Sequence, residues 1–285
     1  MSNIFNNLIF IAIELIIGFG LFWIGQWFYQ KGFRRMALNE ELFVRDNSAV
    51  AIALVGFYLG IVIALGGALD QGFNSWQEQL SLLLLYGLMA IVLMLVGSLI
   101  CDRLILRRLD CARETLEERN YGAAIVEASS HIANGLILNT ALGGENGNWL
   151  VALVCWAIGL LILVLASFIY PRIAHYDVFG EIRKRNNPAA GVALAGFLIA
   201  IGNLVRSAFF QEFENWVTSF VVYGSTLMIG AIALIFIRWF ADLILVPGVR
   251  ISDDIVRQEI PNLGAGLIEA FAYIAASCLI QWAVS

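Results

Sequence analysis

The feature that most constrains this chain is an internal duplication carried by apolar segments. The stretch RDNSAVAIALVGF (Arg45–Phe57) recurs 140 residues later as RNNPAAGVALAGF (Arg185–Phe197). A second pair, NYGAAIVEA (Asn120–Ala128) and NLGAGLIEA (Asn262–Ala270), matches at an offset of 142 residues. Matches at one period across most of both halves predict a structural unit that is used twice.

Composition places both copies in a membrane. Hydrophobic residues make up 60% of the chain and charged residues 14%, and the mean hydropathy is +0.82. This leaves too little polar surface to cover a soluble protein of 285 residues. Because lipid cannot satisfy backbone polar groups, the sequence predicts an all-α membrane protein.

A membrane-spanning helix needs about 20 predominantly apolar residues. Eight segments qualify: Ile4–Trp27, Ser48–Leu69, Leu80–Cys101, Tyr121–Leu142, Trp149–Tyr170, Pro188–Val205, Trp216–Ile237 and Leu263–Val284. Each repeat then holds four helices, residues 1–142 forming the first and residues 143–285 the second. We expect the two repeats to be parallel, because four helices return the chain to the side on which it started.

Basic residues predict the orientation. All but Arg206 of the 17 lysines and arginines follow helices 1, 3, 5 and 7. By the positive-inside rule these linkers, which carry Arg35, Arg108, Lys184 and Arg257, are cytoplasmic. We therefore expect a multi-pass protein of a bacterial inner membrane with both termini periplasmic.

A finer repeat precedes the even-numbered helices. One asparagine stands before each of these helices, after a charged linker and before alanines and glycines: Asn47, Asn120, Asn187 and Asn262. This pattern favours a smaller unit of one helix pair used four times. The first interpretation is that each asparagine caps its helix by accepting from a first-turn N–H group. The second is that four positive helix ends converge and hold an anion or a lipid headgroup.

Small residues at four-residue spacing mark the same helices as the inner ones. Examples are Gly56 with Gly60, Ala189 with Ala193, and Gly266 with Ala270. Small side chains let helix backbones approach closely in lipid. Helices 3 and 7, rich in Leu, Ile and Phe, are expected to face lipid.

Ionisable residues inside spans are costly and therefore informative. Glu127 and Glu269 occupy equivalent positions, roughly 9 Å from the cytoplasmic start of helices 4 and 8. His131 and Tyr273 follow one turn later, and Glu14 in helix 1 is a candidate partner of His131. One interpretation makes these residues an ion or proton pathway. The other makes them hydrogen-bonded groups that tie helices together.

Asp102 and Asp242 occupy equivalent positions just after helices 3 and 7. They are either cation ligands at a cytoplasmic mouth or ordinary residues of an interfacial segment whose arginines contact lipid phosphates. We expect the bilayer as partner, with anionic lipid headgroups as candidates at the basic linkers.

Other chemistry lacks a signature. The four cysteines show no metal-binding spacing, and nucleotide-binding, HExxH and GxSxG motifs are absent. We therefore expect no enzyme activity, cofactor, metal site or nucleic-acid partner.

The paired Asn–Ala–Gly segments and the carboxyl seven residues after Asn120 and Asn262 resemble the family catalogued as domain of unknown function 350, the YjfL-like inner-membrane proteins. The chain resembles two such units in tandem. The resemblance implies a bacterial inner-membrane protein, often encoded near envelope-stress and glutathionylspermidine-synthase-like genes, with no settled activity.

Two functions stay open on this basis. The first is a cation- or proton-linked channel or transporter whose paired carboxyls line a path. The second is a membrane scaffold of an envelope-stress system that docks lipids or cytoplasmic partners through its basic linkers.

Overall fold

The computed structural model describes residues 2–31, 38–69, 76–143, 148–210, 213–248 and 250–284. Over these ranges the chain is all-helical, as predicted. Arg34, Arg35 and Glu212 lie outside them. The helices are α1 (Ser2–Tyr29), α2 (Ser48–Leu69), α3 (Trp76–Ile100), α4 (Cys111–Leu116), α5 (Tyr121–Leu142), α6 (Trp149–Ala174), α7 (Val178–Arg185), α8 (Pro188–Phe209), α9 (Trp216–Phe240), α10 (Ile251–Val256) and α11 (Leu263–Val284).

Seven segments among the described residues are long and apolar enough to cross a membrane. They are Leu8–Tyr29, Ser48–Leu69, Gln77–Ile105, Trp149–Ala174, Pro188–Phe209, Trp216–Leu245 and Leu263–Val284. The eighth predicted span, α5, forms a helix of 22 residues. Its polar side chains, including Glu127, His131 and Asn134, lower its hydropathy, so its role as a span stays a prediction.

The inner helices α2, α5, α8 and α11 form a row in which each packs along the next. Glycines set the close spacing. A β-carbon at Gly56 would collide with the backbone of Ala128 across the α2–α5 contact, and one at Gly196 would collide with Ala270 across the equivalent α8–α11 contact. The two repeats meet where α5 packs on α8, and there a β-carbon at Gly202 would lie 2.7 Å from the Cα of Ala133.

The remaining long helices lie outside this row. α1 packs on α2 and α3, α6 packs on α5 and α8, and α9 packs on α8 and α11. α1 and α9 expose large apolar side chains such as Phe19, Trp23 and Phe236, which suits contact with lipid. α3, which was predicted to face lipid, exposes Leu85 and Val92 on one side, while Leu83, Tyr86 and Met94 pack inward on the other.

The inner helices all begin at one end of the bundle, called here the linker end, where Asn47, Asn120, Asn187 and Asn262 stand. Each asparagine side chain accepts from the N–H group three residues later, at 3.1 to 3.4 Å. Capping of this kind satisfies a first-turn donor that has no intrahelical partner.

The amide groups of three of these caps also tie each linker to the next. Asn47 donates to the carbonyl of Thr115 at 3.0 Å, Asn120 to that of Ile182 at 2.8 Å, and Asn187 to that of Ile255 at 2.8 Å. Each also donates to the glutamate six residues before it: Asn47 to Glu41, Asn120 to Glu114 and Asn187 to Glu181. Three of the four helix ends are therefore joined to the next linker, and the capping interpretation describes the hydrogen bonds of all four asparagines. The anion site stays a prediction.

Several helices are longer than predicted, so that Arg172, Arg206 and Arg238 lie within helices rather than in linkers. α8 continues to Phe209, so Arg206 lies within it and donates to Asn139 Oδ1 at 2.9 Å. α9 continues to Phe240, so Arg238 is a helical residue with only 9% of its surface exposed. Assigning Arg238 to the linker after helix 7 was wrong, because the helix does not end at its last apolar run.

Candidate functional site

Each repeat buries one glutamate close to the linker end. Glu127 on α5 and Glu269 on α11 lie about two turns into their helices and are 0% and 1% exposed. The asparagine caps fix where the helices begin and therefore fix the depth of both carboxyl groups. What surrounds the two carboxylates differs between the repeats.

In the first repeat, Glu127 lies in a cluster of potential ligands. His131, one turn further along α5, places Nε2 3.6 Å from Glu127 Oε1. Asp102 approaches from α3, where the helix widens into a π-helical turn at Cys101–Ile105. One ligand atom from each of Asp102, Glu127 and His131 lies within 4.8 Å of the others.

Hydrogen bonds from α3 set the orientation of the imidazole ring. Ser98 Oγ lies 3.3 Å from His131 Nδ1 and donates to the carbonyl of Met94 at 2.9 Å. A serine hydroxyl has one proton, so Ser98 accepts from Nδ1–H of the ring. Nε2 is then the ring nitrogen that faces Glu127.

In the second repeat, an arginine occupies the corresponding space. Arg238 Nη1 lies 3.2 Å from Glu269 Oε2 and 3.8 Å from Asp242 Oδ1. Asp242 lies on a second π-helical turn, Ala241–Leu245, and also accepts from the N–H group of Ile251 at 3.1 Å. Arg238 donates to Ser252 as well. Glu269 is therefore one partner in a buried ion pair.

The two clusters correspond residue by residue. At the offsets of the duplication, Asp102 matches Asp242, Glu127 matches Glu269 and His131 matches Tyr273; Ser98 stands where the second repeat has Arg238. Thus the second repeat carries its own cation. The first repeat carries a serine and a histidine at those two positions.

Tyrosines cover each glutamate. Tyr29, the last residue of α1, donates to Glu127 at 3.5 Å, and Tyr170 of α6 donates to Glu269 at 2.9 Å. Tyr29 stacks on Phe57 with ring centroids 3.7 Å apart, whereas Tyr170 meets the equivalent Phe197 at 5.0 Å. Each glutamate therefore lies beside a tyrosine–phenylalanine pair, which separates it from lipid.

Sequence reasoning found some of these groups and missed others. It grouped Glu127 with His131 but assigned Asp102 to a separate site at a cytoplasmic mouth. The structure brings all three residues together. The hypothesis that Glu14 pairs with His131 was wrong, since Glu14 accepts from Gln79 of α3.

Ser98, Tyr29, Tyr170 and Arg238 were not singled out. Alignment of the halves at offsets of 140 and 141 provides a signal for all four. It places Ser98 opposite Arg238, and Tyr29 opposite Tyr170 at two helix ends.

A cleft of about 850 Å³ opens beside the second cluster at the linker end. Its lining includes four arginines, Arg172, Arg238, Arg250 and Arg257, together with Asp242 and Tyr176. Burial, and then the nearby charge of Glu269, raise the pKa of the Tyr176 phenol. Tyr176 is therefore a neutral polar group in a mainly basic cleft.

A family model described as Domain of Unknown Function (DUF350) matches the chain twice, over residues 3–142 and 146–284. A protein named UPF0719 transmembrane protein, from Aquifex aeolicus (strain VF5), is 21% identical over 252 residues. The match covers 86% of this chain and 89% of that relative. No solved structure matches the chain.

Proposed function

The chain belongs to the DUF350 family through both of its halves, and we propose that this transmembrane protein is a cation- or proton-linked channel or transporter of a bacterial inner membrane, rather than an enzyme. The observation that carries the proposal is the cluster of Asp102, Glu127 and His131, whose ligand atoms lie within 4.8 Å of one another. Ionisable groups at such depth commonly mark an ion or proton route.

The polar face of α5 extends this route away from the linker end. Glu127, His131 and Asn134 follow one another at spacings of four and three residues, which places them on one side of the helix. Asn134 accepts from Trp156 Nε1 at 3.0 Å and donates to Met94 Sδ at 3.3 Å. Further along α5, Asn139 bonds Arg206 of α8. Asp102, which is partly exposed, serves as the entrance.

The proposed orientation puts the linker end in the cytoplasm and both termini in the periplasm. We test it with single cysteines placed in a variant whose four native cysteines are replaced by alanine. In intact cells, a thiol reagent that cannot cross the inner membrane should leave Lys184→Cys unlabelled and should label Glu214→Cys, which precedes α9 at the opposite end. Labelling of Lys184→Cys at the rate of Glu214→Cys would reverse the orientation.

Transport itself is tested by flux into proteoliposomes under imposed gradients of protons, monovalent cations or divalent cations. We expect wild-type protein to carry at least one of these and Glu127→Gln to reduce that flux about tenfold or more, because glutamine keeps the shape of the side chain and removes its charge. Glu78→Gln, which changes an exposed carboxyl on the helix that also carries Asp102, is the matched control.

Melting temperatures of the same preparations separate lost function from lost folding. A wild-type protein without flux for any of these ions would refute the proposal.

The arginine-lined cleft favours a second candidate, a scaffold that binds anionic lipid headgroups at the linker end. Guanidinium groups recognise phosphate oxygens through paired N–H donors, and Arg172, Arg250 and Arg257 lie together in its lining. Absence of flux together with a melting temperature raised by anionic, but not zwitterionic, lipid would favour this function over transport.

A further inference from the structure

We infer that Asp102, Glu127 and His131 form a site for one divalent transition-metal ion of the Zn²⁺ or Mn²⁺ class at the linker end of the first repeat. This inference names the ion class for the proposed function, and its role in transport rests on that function. Binding itself does not require transport, so the two proposals have separate tests.

The ligand set matches this class of ion. Two carboxylates and one imidazole suit Zn²⁺, Mn²⁺ and Fe²⁺, whereas Mg²⁺ and Ca²⁺ favour all-oxygen sites and Cu⁺ favours sulfur. With metal–ligand bonds of about 2.0–2.2 Å in a tetrahedral site, two ligands of one ion lie roughly 3.3–3.6 Å apart. The three atoms lie within 4.8 Å of one another, so side-chain adjustments that shorten these distances by at most about 1.2 Å bring them into range.

The imidazole is held in the orientation that a metal requires. Metal-bound histidines usually donate their second ring N–H to a fixed acceptor, which sets the tautomer. Ser98 takes this role toward Nδ1 of His131 at 3.3 Å, because its own proton is used by the Met94 carbonyl. The remaining nitrogen, Nε2, points toward Glu127 at 3.6 Å. When Nε2 carries no proton, Nε2 and the Glu127 carboxylate are both placed to bind one cation between them.

The second repeat holds a cationic group between its two equivalent carboxylates. There the equivalent carboxylates, Glu269 and Asp242, hold the guanidinium of Arg238 at 3.2 and 3.8 Å. In the first repeat the arginine is replaced by Ser98, and Tyr273 is replaced by His131, a metal ligand. The second repeat thus has the arginine side chain as its cation, and the first repeat has a histidine, which is able to bind a metal cation, and no arginine at the equivalent position.

Charge balance favours a divalent ion over a monovalent one. Two carboxylate ligands on one ion supply two negative charges, which a divalent ion matches and a monovalent ion leaves partly in excess in a buried place. A single divalent ion neutralises both carboxylates. Glu127 and His131 are fully buried, while Asp102 is partly exposed, so an ion enters from the linker end past Asp102.

The test uses the purified full-length protein in detergent, stripped with EDTA and titrated with ZnCl₂ or MnCl₂ by calorimetry. Visible absorption of bound Co²⁺ gives an independent readout of coordination. We expect one ion per chain and a raised melting temperature. Loss of an outer-shell partner typically weakens metal binding 10- to 100-fold, so Glu127→Gln, His131→Tyr and Asp102→Asn should each weaken binding by at least about tenfold.

Asp242→Asn is the matched control, because it changes the counterpart of Asp102 in the second repeat and should leave metal binding unchanged. His131→Tyr removes the imidazole ligand by introducing the residue that the second repeat has at the same place. If the two buried variants do not fold, Asp102→Asn decides the matter, because its side chain is partly exposed.

The inference is overturned if wild-type protein binds neither Zn²⁺ nor Mn²⁺, or if the folded variants of the cluster bind as wild type does. It is also overturned if Asp242→Asn alone abolishes binding. Metal binding without any flux would refute the transport proposal and leave this site standing. Flux of protons or monovalent cations by a protein that binds neither Zn²⁺ nor Mn²⁺ would leave the transport proposal standing and refute this site.

Discussion

Glu269→Gln is expected to lower the free energy of unfolding by about 3 kcal/mol, whereas Glu127→Gln should change it by less than about 1 kcal/mol. The difference arises because Glu269 is the 3.2 Å partner of Arg238, a largely buried guanidinium. Removing one member of a buried ion pair leaves the other charge without compensation. Asp242 at 3.8 Å and Ser252 still contact Arg238, which places the cost at the lower end of the usual range.

The decisive comparison adds the double variant Arg238→Gln with Glu269→Gln. The double variant removes both charges of the pair, so neither charge is left buried without its partner, and it should recover most of the loss. Unfolding in a denaturing detergent, or thermal melting, would measure all four proteins in one lipid–detergent mixture. Equal melting of Glu269→Gln and wild type would show that the ion pair does not stabilise the fold.

The sequence was sufficient for the features that repeat or that follow helical periodicity. Tandem units, all-helical structure, small-residue helix contacts and the common depth of Glu127 and Glu269 all follow from the duplication and the spacing of small residues. The count of eight spans depended on α5, whose polar face makes it the least apolar long helix of the first repeat. A polar helix buried between α2 and α8 is a tertiary property that hydropathy does not report.

The chemistry of the two clusters was harder to predict, because it depends on contacts between distant segments. Arg238 was counted as a linker residue since it follows the last long apolar run of its helix. Its helix continues for two more residues, and Arg238 contacts Glu269 of α11, a residue far along the chain. In the same way, Asp102 on the π-helical turn after α3 lies near His131 of α5, a contact between distant segments.

Gly196→Val should cost about 3 kcal/mol, near the upper end of what overpacking usually costs. A side chain at this position meets the backbone of Ala270 on α11, and backbone, unlike a flexible side chain, cannot move aside without separating the helices. Gly224→Val is the matched control, because a β-carbon at Gly224 on α9 meets nothing within 4 Å. Unfolding of the three proteins under identical conditions measures the difference.

The same substitution should also disturb the second cluster. Gly196 precedes Phe197, whose ring lies 5.0 Å from Tyr170 and 5.2 Å from Tyr273, and Tyr170 bonds Glu269. Separation of α8 from α11 therefore moves the rings of Phe197 and Tyr170 away from the Glu269–Arg238 ion pair. If packing and ion pair are coupled in this way, Gly196→Val and Glu269→Gln should cost less together than the sum of their separate effects. Strict additivity would mean that the helix contact and the buried charges stabilise the repeat independently.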